Sequence, residues 1–180
     1  MSVIQDADGN NIVMINDIAF KGKRSMNWDD VKEYLKGFVG NNYTIAGSNE
    51  VVYIGTDLPD EYTGSDYTYS LKGAVAKAKA NAAQGLGELI EIATNGKHTE
   101  NKKKKHNIDG ANGWYRYDSC FALPVYGVDN KVERYNVFNV NLIIRHDLDG
   151  RKYLYDIINI KKETSNPLEH LAVHDKKPIS

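Results

Sequence analysis

Residues 135–164, which read YNVFNVNLIIRHDLDGRKYLYDIINIKKET, decide the predicted fold because they form two β-type runs around a turn. Leu148-Asp149-Gly150 can be a three-residue loop with Gly150 in the left-handed region, and Asp147 then lies opposite Arg151. This register predicts an apolar face of Phe138, Val140, Leu142, Ile144, Leu154, Ile158 and Ile160. The other face is predicted to carry Asn139, Asn141, Ile143, Arg145, Tyr153, Tyr155, Ile157, Asn159 and Lys161. Asp156 falls on the apolar face, where its carboxylate needs a buried partner.

The remaining sequence predicts helices before strands. A helix capped by Asn27 is expected to end near Gly40, and a second helical region, broken near Gly85, is expected over 70–93. A short hairpin is predicted within 3–20, and strands are predicted at 43–45, 51–54, 114–125, 135–145 and 153–162. Residues 55–67 are predicted to be a loop, and residues 97–113 an exposed loop or a frayed helix end. The fold class predicted is α+β, with N-terminal helices packed on a mostly antiparallel four- or five-stranded sheet. The predicted divisions are an N-terminal hairpin or extension (1–24), one α+β domain (25–165) and a tail or linker (166–180).

Composition narrows the classes of function. The chain has 180 residues and a net charge of −1, but 11 of its Asp and Glu and only 5 of its Lys and Arg lie in residues 1–66. An acidic partner should therefore meet the second part of the chain. The single cysteine, Cys120, fits a reducing compartment, and no stretch resembles a signal peptide or a membrane span. We expect a cytoplasmic protein with no membrane partner.

The predicted loop 97–113 contains groups that could cleave RNA. His98 and His106 flank the run Lys102 to Lys105. Cleavage by internal attack needs a base for the 2′-OH proton, an acid for the 5′-oxygen and a cation for the phosphorane charge. Imidazoles can serve as both base and acid near neutral pH. The alternative is a lysine-rich loop that is only solvated. A metal site is less favoured, because the two histidines stand eight residues apart without cysteines or paired carboxylates.

Two further segments carry candidate phosphate ligands. In GWYRYD (113–118), alternation places Trp114 and Arg116 on one face, where Arg116 could hold a phosphate through two hydrogen bonds. In KKETS (161–165), lysines followed by hydroxyl groups could hold a scissile phosphate. An ordinary strand with charged ends explains either segment equally well.

Several blocks of the sequence together resemble a known family. They are DEYTGS (60–65), AKANAAQG (78–85), ELIEIAT (88–94), KKKH (103–106), GWYRYD (113–118), FALPVY (121–126) and RHDLDGRKYLYDIINIKKETSNPLE (145–169). They resemble the nuclease domain of phage and conjugative-element polyvalent proteins, a family described as barnase–EndoU–colicin–RelE-like. The resemblance covers roughly residues 25–169.

The resemblance implies helices on an antiparallel sheet and RNA cleavage without a metal or other cofactor. By position, it implies that His106 is a catalytic acid or base and that Arg116 is a catalytic phosphate ligand. Tyr155 and Thr164 are the implied supporting catalytic groups. The expected RNA-binding residues are Lys105, Arg145, Lys161 and Tyr153, and His98 is a candidate second catalytic residue.

The predicted function is therefore a toxin-like endoribonuclease that leaves a 2′,3′-cyclic phosphate. Its expected partners are RNA and a cognate inhibitor protein of the immunity or antitoxin type. The alternative is a non-catalytic module of a phage or mobile-element polyprotein that binds nucleic acid or protein.

Overall fold

The structure is a computed structural model, and it describes residues 1–22, 24–100 and 111–163. Three predicted site residues, Lys105, His106 and Thr164, and the predicted tail 166–180 lie outside the described residues. The strands within the described ranges are β1 (Ser2–Gln5), β2 (Asn11–Met14), β3 (Asn42–Thr44), β4 (Val51–Tyr53), β5 (Thr94–Thr99), β6 (Trp114–Tyr126), β7 (Val132–His146) and β8 (Lys152–Lys162). The helices are α1 (Trp28–Lys36), α2 (Leu58–Gly64), α3 (Asp66–Ser70), α4 (Gly73–Ala82) and α5 (Leu86–Glu91), with a 3-10 turn at Ala83–Gly85 between α4 and α5.

The sheet is larger and more mixed than the sequence predicts. In the described part of the chain it has eight strands in the order β1-β2-β6-β7-β8-β4-β3, with β5 also paired to β6. Two of the pairings are parallel, β2 with β6 and β4 with β8. The prediction of helices on a mostly antiparallel four- or five-stranded sheet is therefore wrong. The N-terminal hairpin and the short strands β3 and β4 extend the sheet at its two sides, and β5 forms where a loop was expected.

The β7–β8 hairpin confirms the predicted turn. Gly150 has φ +84°, and the Asp147 amide donates to the Arg151 carbonyl over 3.0 Å. Because His146 pairs with Lys152 and Ile144 with Leu154, the predicted register holds next to the turn.

A β-bulge changes the register further along β8. Ile143 pairs with Asp156, so Tyr155 is the extra residue. Ile157 is consequently buried, whereas the sequence predicted Ile158 in that role. A second irregularity follows near Asn159, which has φ +54°.

One face of the sheet, which we call the inner face, packs on the helices. Its strand residues Tyr117, Phe121, Leu142, Ile144 and Leu154 join one buried cluster with the alanine-rich helix α4 and with α5. The opposite side, the outer face, has a smaller apolar cluster where the β1–β2 hairpin meets Ala122 and Val137.

Asp156 has the buried partner that the sequence requires. Its Oδ1 lies 2.6 Å from Nζ of Lys79 on α4, and both side chains are almost completely buried. Lys79 also donates to Thr68 over 2.7 Å, and its ammonium lies 4.7 Å from the centre of the Tyr62 ring. Burial lowers the pKa of Lys79 and raises that of Asp156, and each charge opposes the effect of burial on the other.

Two predicted loops contain regular structure. The predicted loop 55–67 contains α2 and the start of α3. Its proline, Pro59, does not exclude a helix, because it lies in the first turn of α2, where proline is tolerated. The first three residues of the predicted loop 97–113 belong to β5 instead. Lys97, His98 and Thr99 pair there with β6. Among the described residues, no helix is long and apolar enough to cross a membrane.

Candidate functional site

Four polar side chains meet on the inner face, at the end of the sheet next to the β7–β8 turn. We call His98, Tyr115, His146 and Lys152 the two-histidine cluster. The Tyr115 ring centre lies 4.9 Å from that of His98 and 6.0 Å from that of His146. The ammonium nitrogen of Lys152 lies 4.2 Å from the centre of the same ring. Four different strands thus bring two imidazoles and one cation around a single tyrosine.

Strand pairing explains why these side chains share a face. His98 of β5 lies opposite Tyr115 of β6, and His146 of β7 lies opposite Lys152 of β8. Tyr115 pairs with Ile144, two residues before His146, so alternation sends both Tyr115 and His146 inward. The apolar core ends before the turn, which leaves His98 exposed and the other three partly exposed.

The main chain of Asn112 connects the two histidines. Its carbonyl oxygen lies 3.0 Å from Nε2 of His98, and its amide donates to the His146 carbonyl over 2.9 Å. A carbonyl oxygen can only accept, so Nε2 of His98 must carry the hydrogen in this contact. In the neutral ring, Nδ1 is then the unprotonated nitrogen. The arrangement therefore gives His98 a nitrogen that can accept a proton.

Lys152 holds its position through a carboxylate and an aromatic ring. It forms an ion pair with Glu50, which lies just before β4, and the Lys152 side chain is only 15% exposed. Burial lowers the pKa of Lys152. Tyr117, stacked 6.3 Å from Tyr115, forms the buried floor beside the cluster, and burial raises its pKa. The cluster is thus a partly exposed polar site beside the buried Tyr117 ring.

Arg145 points to the outer face and is held by two carboxylates. Its Nε donates to Asp147 over 2.7 Å, and its Nη1 is ion-paired with Asp57 at the start of α2. The Arg145 residue is 5% exposed, and its guanidinium lies over the rings of Tyr153 and Tyr155. This environment is that of a structural ion pair that fixes α2 against the sheet.

The two predicted tyrosines lie beside Arg145. The Tyr153 hydroxyl donates to Asp149 over 2.7 Å, and the Tyr155 ring packs edge-on against Trp114 at 4.9 Å. Burial, together with nearby Glu61, raises the pKa of Tyr155. Both side chains are therefore on the face opposite the two-histidine cluster.

Arg116 and Lys161 also lie on the outer face. Arg116 is exposed and pairs with Lys97, while Lys161 pairs with Asn139, which is four residues along β7 from the partner of Arg116. Four residues of a strand span about 13 Å. The structure thus separates Arg116 and Lys161 from each other along the sheet, and it separates both from His98 across the sheet.

A row of amide side chains occupies the outer face between these cations. Asp118 accepts hydrogen bonds from Asn95 over 2.9 Å and from Asn141 over 2.8 Å, and Asn141 accepts one from Asn159 over 2.9 Å. This row crosses β5, β6, β7 and β8. It borders a shallow groove of about 500 Å³ whose lining includes Asn139 and Lys161.

Sequence reasoning missed two members of the cluster, His146 and Lys152. The signal was present, because the predicted pair of Asp147 with Arg151 also implies that His146 lies opposite Lys152. The alternation then assigns both to the apolar face, and that face was interpreted only as core. Residues at the end of a sheet can share a face with the core and still reach solvent.

No group of three or more His, Cys, Asp or Glu side chains that could hold a metal ion occurs within 1–22, 24–100 and 111–163. No protein-family model matches this chain, and neither a curated protein nor a solved structure matches it. The geometry of the site is therefore the basis for a functional proposal.

Proposed function

We propose that this protein is an endoribonuclease that cleaves RNA by internal attack of the 2′-OH and leaves a 2′,3′-cyclic phosphate. The observation that carries the proposal is the two-histidine cluster, in which the rings of His98 and His146 and the ammonium of Lys152 lie 4.9, 6.0 and 4.2 Å from the centre of the Tyr115 ring. It supplies the base, the acid and the cation that this reaction requires. The sequence resemblance to polyvalent-protein nuclease domains supports the same class of reaction.

We assign the base to His98. Its Nδ1 accepts the proton of the 2′-OH while Nε2–H remains bound to the Asn112 carbonyl. The 2′-oxygen then attacks phosphorus, and the bond from phosphorus to the 5′-oxygen breaks. Protonated His146 donates to that leaving oxygen, so the proton taken by one histidine is matched by the proton given by the other. Lys152 stabilises the negative charge on the non-bridging oxygens.

The test is cleavage of a mixed RNA pool in EDTA, with identification of the new 3′ ends. His98→Ala and His146→Ala should each lower the cleavage rate by about 10²–10⁴-fold, the usual contribution of a general acid or base. The thermal midpoint should barely change, since neither side chain is buried. A DNA pool of the same sequences should not be cleaved, because it lacks the attacking hydroxyl.

Lys97→Ala is the matched control, because Lys97 precedes His98 in β5 but lies on the outer face with Arg116. It removes a cation without touching the cluster, and its rate should stay near that of the wild type. Retention of full activity in both histidine variants would exclude this site. A wild-type protein that cleaves no RNA would leave the binding module as the better proposal.

The outer face favours that second candidate function. Exposed Lys161 lines a groove together with amide side chains, and exposed Arg116 precedes its lining residue Asp118 by two positions in β6 on the same face. Such an arrangement can contact a polar chain without reacting with it. In a binding module, Arg116→Ala and Lys161→Ala would weaken RNA binding, whereas the two histidine variants would leave it unchanged.

A further inference from the structure

Lys152 is a partly desolvated ammonium whose ionic partner comes from a different part of the chain. Its side chain is 15% exposed, and its ion pair with Glu50 joins β8 to the segment before β4. The Tyr115 ring lies beneath its charge. An ammonium in such surroundings binds an anion strongly, because little water competes for it.

The Glu50 carboxylate supplies the anionic oxygen that Lys152 binds in this structure, and a phosphate oxygen would have to take its place to bind the same ammonium. Carboxylate and phosphate oxygens are both anionic acceptors for a lysine ammonium. The Glu50 side chain is 33% exposed, so it has a route into solvent. The rings of His98 and His146 and the ammonium of Lys152 all lie around the Tyr115 ring, so the anion-binding ammonium and both imidazoles border one side chain.

Only the Glu50 side chain has to move for Lys152 to exchange partners. The Glu50 main chain is fixed, because its carbonyl accepts from the Ile45 amide over 2.8 Å and its amide donates to the Ser48 hydroxyl over 3.4 Å. The Val51 and Val52 that follow are held in β4. Rotation about side-chain bonds is therefore enough, and no rearrangement of the sheet is needed.

We propose that Lys152 is a phosphate-binding residue and that Glu50 is an internal anion which occupies it until a phosphate group displaces the carboxylate. The inference rests on the proposed function, in which the displacing group is the scissile phosphodiester. Lys152 is then the subsite for that phosphodiester, and the Glu50 carboxylate is a competitor that weakens its binding. RNA and free phosphate share the chemistry that Lys152 recognises.

The experiment is a titration of the full chain with inorganic phosphate, followed by the NMR signals of the histidine imidazoles and by calorimetry. Glu50→Gln keeps the size of the side chain and removes its charge, so phosphate should bind about five-fold more tightly, as expected when an ion pair of roughly this kind no longer competes. Lys152→Met should abolish the binding. The titration is run near pH 6.5, well below the ordinary lysine pKa of 10.5, so that the ammonium stays protonated in Glu50→Gln.

Glu33→Gln is the matched control, because Glu33 forms an exposed ion pair with Lys36 on α1. It removes one negative charge from the molecule but not from the cluster, and phosphate affinity should not change. Equal tightening in Glu33→Gln and Glu50→Gln would refute the proposal, since the effect would then come from net charge. Wild-type affinity in Lys152→Met would also refute it.

A second titration uses a 2′-deoxy oligonucleotide, which offers the phosphodiester but cannot be cleaved. Tighter binding to Glu50→Gln in this arm identifies the phosphodiester as the displacing group, and an effect confined to inorganic phosphate contradicts that assignment. The two proposals can fail separately. Glu50-dependent binding without RNA cleavage keeps the anion site and removes the nuclease. Histidine-dependent cleavage with phosphate binding unaffected by Lys152→Met keeps the nuclease and removes the anion site.

Discussion

Gly113 combines a backbone requirement with a close approach to the candidate base. Its φ is +100°, a region that side chains with a Cβ adopt at a cost of about 1–2 kcal/mol. An added Cβ would also collide with Nε2 of His98 and stand 2.7 Å from the Thr99 carbonyl oxygen. Gly113 therefore sets the distance at which the Asn112 carbonyl meets the His98 ring.

Gly113→Ala should lower the rate of RNA cleavage per folded molecule, because the added Cβ displaces His98 from the Asn112 carbonyl. Gly150→Ala is the control, since Gly150 has φ +84° but nothing within 4 Å of an added Cβ. It should lose about 1–2 kcal/mol through strain alone and retain its cleavage rate. Rates and denaturant midpoints of the two variants give the comparison. Equal loss of activity in both would show that Gly113 acts only through the backbone.

Arg145 is expected to be a structural residue despite being a candidate phosphate ligand by sequence. Arg145→Lys keeps the charge but cannot bond Asp57 and Asp147 with one planar group, so we expect a loss of roughly 1–3 kcal/mol of unfolding free energy. Cleavage per folded molecule should stay near the wild-type rate. Chemical denaturation and initial rates measure the two effects. A rate that falls while stability holds would return Arg145 to the catalytic set.

At the scale of the element, the bulge in β8 and helix α4 form one unit through a buried ion pair. The bulge turns both Asp156 and Ile157 towards the helices, and Lys79 of α4 reaches the Asp156 carboxylate. The hydroxyl of Tyr62 on α2 donates to the Lys79 carbonyl over 2.6 Å. The ion pair therefore fixes the position of α4 relative to β8.

Removing one charge of this pair should lower the free energy of unfolding more than removing both charges. Lys79→Met leaves the Asp156 carboxylate buried without a counter-charge, which costs about 3–5 kcal/mol. The double variant Lys79→Met with Asp156→Leu removes both desolvated charges and should recover much of that loss. Urea unfolding of the two single variants and the double variant closes the cycle. A double variant as unstable as the sum of the singles would mean that the two charges do not interact.

Sequence patterns predicted the elements whose periodicity is long and regular. The β7–β8 turn, the Asn27 cap of α1 and the apolar face of β7 follow from residue spacing and turn chemistry. The bulge at Tyr155 could not be predicted, because Ile157 and Ile158 are both apolar and the sequence of β8 therefore suits either register. Strands of three residues such as β3 and β4 carry too little pattern to show that β4 pairs in parallel with β8.

The site was only partly predictable for a related reason. His98 was recognised from its chemistry, but its partners were sought in the same loop, while the structure brings His146 and Lys152 to it from other strands. Arg116 and Tyr155 were recognised as polar-face residues, and alternation places them away from His98. Pairing between distant strands is the information that a single sequence lacks.

At the scale of the whole molecule, buried tyrosines couple stability to alkaline pH. Burial raises the pKa of Tyr62 well above 10.0, and it also raises the pKa of Tyr67. In the unfolded chain these phenols ionise near pH 10, whereas in the folded protein they stay neutral. The folded state therefore binds more protons in this range, and its stability falls as the pH rises above 10 towards the folded pKa values.

We expect the free energy of unfolding to decrease from pH 9 to pH 11, measured by urea denaturation. Tyr62→Phe should be less stable at pH 8, because the hydrogen bond to the Lys79 carbonyl is lost, but its stability should depend less on pH above 10. Tyr69→Phe, at a tyrosine that is 73% exposed, is the control. A wild-type stability that rises over this range would contradict the sign of the effect.

The two-histidine cluster takes its members from β5, β6, β7 and β8, in the order in which the ribosome makes them. Lys152 comes last, and it reaches His146 only after the β7–β8 turn has closed. A centre built in this way is incomplete until β8 has been synthesised. If the proposed RNA cleavage is correct, late completion of the centre would delay damage to the messenger and ribosomal RNA beside which the chain is made.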